Sequence, residues 1–442
     1  MSPALLGLLC LAGMLVMIAL RCPIALAMAL TGLIGFGLIV AFEPALALLE
    51  AGPFETLSNY SFSPIPMFLL MGVLASKARM SQELFSAARS LFGGWRGGMA
   101  IAAVSACGTF SAISGSSVAT AASMSRVALP EMRKHGYADS LATGTLAAGG
   151  TLGIIIPPSI ALLLYALITE QSVGDMFIAG LLPGLLGLVL YCATIALLVF
   201  RYPHLAQPGS ATAWNQKLKD MRGFLPFMLV FALIIGGIYS GLFTPTEAAA
   251  IGAGITLVIA LVRGMRWRGL IEAVSETLAL SAMIFFMIVG AEIFGYFLSV
   301  SRLSFFLVEL VADWQLPPYA VLFAVLLLFM VLGCVMDSIA MLLLTVPVVM
   351  PLVINAGFDP VWFGIVAVIT VELGLMTPPV GMNVFVIKSV SPEVPIGQIY
   401  KGVLPFVLSD LVRLLLLILF PVLALGLLRS SFTTGGPPPA VI

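Results

Sequence analysis

Stretches of about twenty residues, almost free of charge, recur from one end of this 442-residue chain to the other. Each is long enough to cross a hydrocarbon layer of roughly 30 Å as a helix, which satisfies its own backbone hydrogen bonds where water is absent. Composition agrees. Of all residues 61% are hydrophobic and 9% charged, against roughly 25% charged in a soluble domain, too few to coat a surface facing water. The formal net charge is zero, so nothing favours nucleic acid as a partner. Cys10, Cys22, Cys107, Cys192 and Cys334 are scattered through apolar segments without a CxxC pair and read as small core residues. The opening stretch MSPALLGLLCLAGMLVMIALR lacks the basic residues that begin a secretory signal, so it is expected to stay as a span.

The chain also repeats itself. Ser117-Val118-Ala119 matches Ser338-Ile339-Ala340, 221 residues later. The same offset takes Pro130 to Pro351, Gly136 to Gly357, Gly153 to Gly374 and Pro157-Pro158 to Pro378-Pro379. With one added residue, Pro23 maps to Pro245, Gly32 to Gly254, Gly180 to Gly402 and Pro183 to Pro405. Residues 21–200 and 243–422 therefore read as two copies of one unit.

Charge orients the copies, because Lys- and Arg-rich loops tend to remain cytoplasmic. Segment 77–96 carries Lys77, Arg79, Arg89 and Arg96, while its counterpart near 297–316 carries Arg302, Glu309 and Asp313. Arg133 and Lys134 correspond to Ile354 and Asn355. Conversely, Arg263, Arg266 and Arg268 face a first-copy segment with Glu43, Glu50 and Glu55, and Lys388 and Lys401 face one with Glu170 and Asp175. The bias reverses each time, the mark of an inverted-topology repeat.

Spans are predicted near 3–20, 23–42, 60–76, 139–168, 176–200, 222–241, 244–262, 275–297, 360–388 and 401–427. Segments 97–130 and 317–354 are too long for one span and begin and end on one side by the charge argument. Each is read as a re-entrant helical hairpin, the first entering from the cytoplasm and the second from the periplasm, which leaves both termini periplasmic. Two full spans for each segment is the competing geometry. The polar stretch 206–220 joins the halves without adding a domain.

Polar, backbone-exposing sequence within a bilayer is costly unless it lines a cavity or site. Two such places occur in each copy. The first hairpin turns through Ser111, Ser114, Gly115, Ser116 and Ser117, and the next span breaks at Gly149-Gly150-Thr151-Leu152-Gly153 and Pro157-Pro158-Ser159. The second hairpin turns at Gly333-Cys334-Val335-Met336-Asp337-Ser338. Its following span breaks at Glu372-Leu373-Gly374 and Thr377-Pro378-Pro379-Val380-Gly381-Met382-Asn383. Paired prolines remove amide donors and free carbonyls upstream. Carbonyls and hydroxyls are hard oxygen ligands suited to sodium, while helix N-termini point amides at a carboxylate.

The expected sodium ligands are Ser114, Gly115, Ser116, Ser117, Thr151, Gly153, Asp337, Gly374 and Thr377. The expected substrate contacts are Ser116, Pro158, Ser159, Ser338, Pro379, Gly381 and Asn383. Small residues also serve close helix contact, and what distinguishes these is a turn plus a break, twice, at one register. Glu372 is a further intramembrane acid. For Glu247, Glu292, Arg126 and Asp410, structural pairing among themselves is expected. His135 and His204 fall in loops. Neither an HExxH nor a GxxxxGK[ST] motif occurs, so no hydrolytic metal site or ATPase is expected, and no cofactor beyond coupling ions.

These segments resemble the large membrane subunit of tripartite ATP-independent periplasmic (TRAP) transporters. The matching stretches are Ser114-Gly115-Ser116-Ser117-Val118-Ala119, Gly153-Ile154-Ile155-Ile156-Pro157-Pro158-Ser159, Phe243-Thr244-Pro245-Thr246-Glu247-Ala248-Ala249, Met336-Asp337-Ser338 and Thr377-Pro378-Pro379-Val380-Gly381-Met382-Asn383. The resemblance implies an all-α polytopic, inverted-repeat, elevator-type transporter in a bacterial inner membrane. It also implies sodium coupling, a small four-span membrane subunit and a periplasmic protein that delivers an organic acid such as a C4-dicarboxylate or sialic acid. On that plan 97–168 and 317–388 are the halves of a transport domain. Residues 1–96, 169–316 and 389–442 are scaffold, the last with a C-terminal tail. A stand-alone sodium–carboxylate symporter shares this architecture. A membrane-embedded enzyme lacks a visible acid, base or metal cluster, and an assembly subunit without a transport path leaves the repeat and the breaks unexplained.

Overall fold

The computed structural model describes residues 3–207, 209 and 213–432. The tail from residue 433, both chain ends and part of the polar stretch 206–220 (208 and 210–212) lie outside the described residues. The expectation that both termini are periplasmic therefore falls outside them too. All regular structure among the described residues is helical.

Chain order shows the repeat as two matching series. The first runs α1 (Pro3–Ala19), α2 (Ile24–Ile39), α3 (Phe42–Ser58), α4 (Pro64–Lys77), α5 (Met80–Phe92), α6 (Gly98–Ser114), α7 (Ser117–Lys134), α8 (Asp139–Ile155), α9 (Ile160–Ile168) and α10 (Val173–Arg201). A linker helix, α11 (Trp214–Arg222), fills the described part of the polar stretch. The second series runs α12 (Leu225–Tyr239), α13 (Pro245–Val262), α14 (Trp267–Ser301), α15 (Leu303–Asp313), α16 (Pro318–Gly333), α17 (Ser338–Asn355), α18 (Pro360–Met376), α19 (Met382–Val390) and α20 (Ile396–Leu419), followed by α21 (Val422–Phe432). Because α12 stands where α1 stands, the repeat begins earlier than the matched prolines and glycines indicate. The other difference is in the arms. The first copy bends by 57° between α3 and α4, where the second has one continuous 35-residue helix.

Local chemistry sets the boundaries. Thr244 and Glu247 form a reciprocal capping box that starts α13, and Asp337 and Asp359 cap α17 and α18. Arg79 and Arg302 adopt left-handed conformations that turn each arm into α5 and α15. Those two short helices were not expected as separate elements. They are amphipathic connectors, too short to show as spans.

The copies are inverted, and the ends of the broken helices show it. α8 starts at the base of the first hairpin, where Arg133 bonds Asp139 at 2.7 Å. Its continuation α9 ends at the base of the second, where the Tyr165 hydroxyl donates to the Pro360 carbonyl at 2.7 Å. Conversely α18 starts at the second base, and the loop after α19 returns to the first, where Glu393 pairs with Arg133. The two bases thus lie at opposite ends of the broken helices. The expected basic face also assembles: Lys77 reaches Glu272 and Glu276, Arg263 reaches Glu83 at 2.5 Å, and Arg89 reaches Glu131 at 3.0 Å.

The arms exchange partners, α2 lying along α14 and α13 along α4. Around the hairpins, α6 and α7 pack on α8, and α16 and α17 on α18. Helices α10 and α20, expected with the scaffold, pack closely on this central body. α8 and α20 approach until a Cβ on Gly144 would collide with the Gly402 backbone and one on Gly402 with the Ser140 backbone. α10 packs on α6, α8, α9, α18 and α20. Apolar composition all round each span concealed this preference.

Candidate functional site

At the first hairpin tip, Gly115 takes φ +59°, which a glycine adopts without a steric penalty, and reverses the chain between α6 and α7. The Ser116 side chain then caps α7 by accepting from the Ala119 amide at 3.3 Å. The Ser114 hydroxyl lies 2.7 Å from that of Thr120. In the following helix the Pro157–Pro158 bond is cis, and the buried Ser159 caps α9 by accepting from the Leu162 amide at 3.2 Å. Tip and break touch. A Cβ on Gly153 would stand 2.9 Å from Ser111 Cβ and 3.2 Å from the Ser116 carbonyl, and one on Gly115 3.4 Å from the Pro158 carbonyl.

The second copy repeats the plan with different atoms. Asp337 caps α17, accepting from the Ala340 amide at 3.3 Å. The Gly381 amide, at φ +62°, donates to the Cys334 carbonyl at 3.1 Å. The Thr377 hydroxyl donates to the Gly374 carbonyl at 3.1 Å and lies 3.1 Å from Cys334 Sγ. Gly374 sits against the Gly333 backbone, where a Cβ would come within 2.7 Å of it. The Pro378–Pro379 bond is cis, and the Tyr400 hydroxyl donates to the Val380 carbonyl at 2.6 Å.

The two halves meet. α17 packs on α9, and α19 on α7, so four helix N-termini gather with their positive dipole ends and free amides at the centre of the fold. Asn383 spans the halves, its Nδ2 donating to the Ala147 carbonyl at 3.4 Å while its buried Oδ1 has no partner. Glu372, 2% exposed, lies beside the hydroxyls of Ser338 and Ser117, one from each tip, yet neither carboxylate oxygen has a well-formed hydrogen bond.

Thr151 is the expected site residue that points elsewhere. Its hydroxyl donates to the Ala148 carbonyl at 2.6 Å and lies 3.0 Å from the Tyr191 hydroxyl. Through Tyr191 it joins Asp410 and Arg413, whose Nη1 stands 3.4 Å from Asp410 Oδ1. Pairing among Glu247, Glu292, Arg126 and Asp410 does not occur. Glu247 caps its own helix, Glu292 accepts from Thr56, Asp410 has Arg413, and Arg126 is exposed. The four sit on different elements, and each of the three acids has a nearer partner. Cys334, read as a small core residue, also touches the Thr377 hydroxyl at the second break. Arg413 and Tyr400 were missed. For Arg413 the signal was available, since it is a charge inside an apolar span. A cavity of about 430 Å³, lined in part by Glu292, Tyr296, Phe305 and Pro347, lies apart from the tips.

Two hairpins, two broken helices and an inverted repeat in an all-helical, apolar chain define a membrane transporter of the secondary type. The chain belongs to the DctM component family of tripartite ATP-independent periplasmic transporters, whose family model matches residues 11–423. It is therefore a multi-pass transport protein and not an enzyme. It is 38% identical, over 90% of its length and 93% of the relative's, to the C4-dicarboxylate TRAP transporter large permease protein DctM of Pseudomonas aeruginosa. It is 32% identical to the sialic acid TRAP transporter large permease protein SiaM of Vibrio cholerae, over 83% of this chain and 85% of that one. It is 29% identical to the ectoine TRAP transporter large permease protein TeaC of Halomonas elongata, over 95% and 98%. Among solved structures, the YdaH transporter of Alcanivorax borkumensis shares the fold, with TM-score 0.58, 17% identity and coverage of 86% of this chain and 89% of that one.

Proposed function

We propose that this chain takes up a small organic acid across a bacterial inner membrane, driven by sodium, as the large subunit of a three-part transporter. A small membrane subunit would complete the complex, and a periplasmic binding protein would deliver the substrate. The observation that carries the reading is the convergence of two tip-and-break pairs at one centre. Each offers free carbonyls and hydroxyls for sodium, and together they aim four helix N-termini at the space where a carboxylate would sit. The relatives' named substrates, C4-dicarboxylate and sialic acid, are carboxylates.

The motion that fits is an elevator. Separating the halves in mid-transport would expose unpaired polar backbone to lipid at several kcal/mol per group. Hairpins, broken helices and, from their close contacts, α10 and α20 would travel together past the arms α2–α4 and α13–α14. The test is uptake into proteoliposomes carrying the partner subunits, under a sodium gradient and under a proton gradient alone. Sodium-dependent uptake is expected, and equal uptake driven by protons without sodium rejects it.

A further inference from the structure

Glu372 occupies a place for which its surroundings offer no counter-charge. Its equivalent in the first copy, 221 residues earlier, is the uncharged and hydrogen-bonded Thr151. The carboxylate is therefore a departure from the repeat. The groups around it are Ser117 of α7, Ser338 of α17 with its cap Asp337, and Asp410 of α20. Arg413 is the only cationic side chain among the fully buried described residues, and it is engaged with Asp410. Asp337, Glu372 and Asp410 set three carboxyls against one guanidinium, so ionising all three would place a formal charge of −2 at the centre of an apolar body. A charge in that setting is held only with a partner.

We propose that Glu372 and the hydroxyls of Ser117 and Ser338 hold a sodium ion shared by both hairpin tips, in addition to any ion held within either tip-and-break pair. The donor set is carboxylate and hydroxyl oxygen, which suits a hard cation. No group of three or more His, Cys, Asp or Glu among the described residues is placed to hold a metal, which disfavours a divalent or transition ion. A shared ion gives the site a function that neither half performs alone. It holds the two tips together while loaded, and its loss leaves a bare acid between them.

The inference rests on the sodium reading above, and one measurement separates the two. Equilibrium binding of radioactive sodium to the detergent-purified full chain is compared for wild type, Glu372→Gln, Ser117→Ala and Ser338→Ala. Glu372→Gln is expected to bind one ion fewer per chain, and each serine variant to need about ten-fold more sodium for that ion. In potassium, Glu372→Gln should unfold at a higher temperature than wild type, because an unpartnered charge has gone. Unchanged sodium stoichiometry in Glu372→Gln overturns the shared site while leaving sodium coupling intact. No sodium binding by wild type overturns the sodium reading itself. If lowered pH stabilises wild type and not Glu372→Gln, at equal sodium stoichiometry, the occupant is a proton and the proposal fails. Should Glu372→Gln not fold, unchanged binding in both serine variants rejects it alone.

Discussion

Tyr191 on α10 donates its hydroxyl to Asp410 Oδ2 on α20 at 2.5 Å, and the same hydroxyl stands 3.0 Å from Thr151 on α8. Three helices are thereby fastened through buried polar atoms that have few alternative partners. Removing one hydroxyl leaves the other groups in place, so Tyr191→Phe is expected to cost about 1–3 kcal/mol. Arg413→Leu leaves Asp410 uncompensated and is expected to cost about 3–5 kcal/mol, with part of the loss restored in the double variant Asp410→Asn, Arg413→Leu. Thermal unfolding in detergent measures all three. Full additivity in the double variant would show that the pair is not coupled.

Gly144 and Gly402 leave no room for a side chain between α8 and α20. Gly402→Val should therefore destabilise by about 1–3 kcal/mol or more through forced separation of the backbones. Gly254, which faces open space at the lipid-exposed side of α13, provides the control. Equal melting temperatures for Gly402→Val and Gly254→Val would contradict the observed contact.

Asp337 and Asp410 are both acids near the centre, but only Asp337 lies at a hairpin tip. In reconstituted uptake, Asp337→Asn is expected to raise the sodium concentration for half-maximal transport about ten-fold. Asp410→Asn should lower the yield of folded protein and leave that concentration near the wild-type value. Equal shifts would remove the second tip from the ion path.

Crosslinks in a background without native cysteines test the moving body. A pair joining α17 to α7 should leave uptake largely intact, as should one joining α20 to α8. A pair joining α17 to α13 should stop uptake until reduced. Transport through that last lock would reject an elevator.

Outside the membrane, Arg133 holds the exposed Glu393 carboxyl at about 2, below its ordinary 4.5. A depressed folded-state value means that the pair's contribution is present above about pH 4.5 and is lost as pH falls through about 2. Wild type should therefore out-melt Glu393→Gln at about pH 6, and the gap should narrow toward about pH 3. A gap that widens on acidification would show that the pair does not stabilise the fold.

Much of this arrangement is legible in the amino-acid sequence, because lipid makes polar sequence conspicuous. The hairpins read as 97–130 and 317–354 are α6–α7 and α16–α17, and the prolyl pairs mark the observed breaks. Short amphipathic elements were harder. α5 and α15 carry both charge and apolar residues, so neither a span nor a loop describes them. The direction of Thr151 was also illegible, since a hydroxyl next to a glycine break suits an ion or a neighbouring tyrosine equally well. Tyr191 lies 40 residues away and gave no local sign of its role. The grouping of α10 and α20 depended on which of many apolar faces meet, which hydropathy does not encode.

The unbroken arm α14 has a mechanical consequence. Its first turns hold Arg268, Glu272 and Glu276, but Thr277 to Ser301 form a rod of 25 residues, about 37 Å at 1.5 Å per residue. The hydrocarbon layer is about 30 Å thick, so an upright rod would protrude, and leaning by roughly 35° removes the excess. The bent arm α3–α4, which packs against this rod, meets the same mismatch with its elbow. The molecule thus meets its bilayer through one stiff strut and one jointed one. Acyl-chain length then adjusts the lean of the strut, and with it the height through which the adjoining body has to slide.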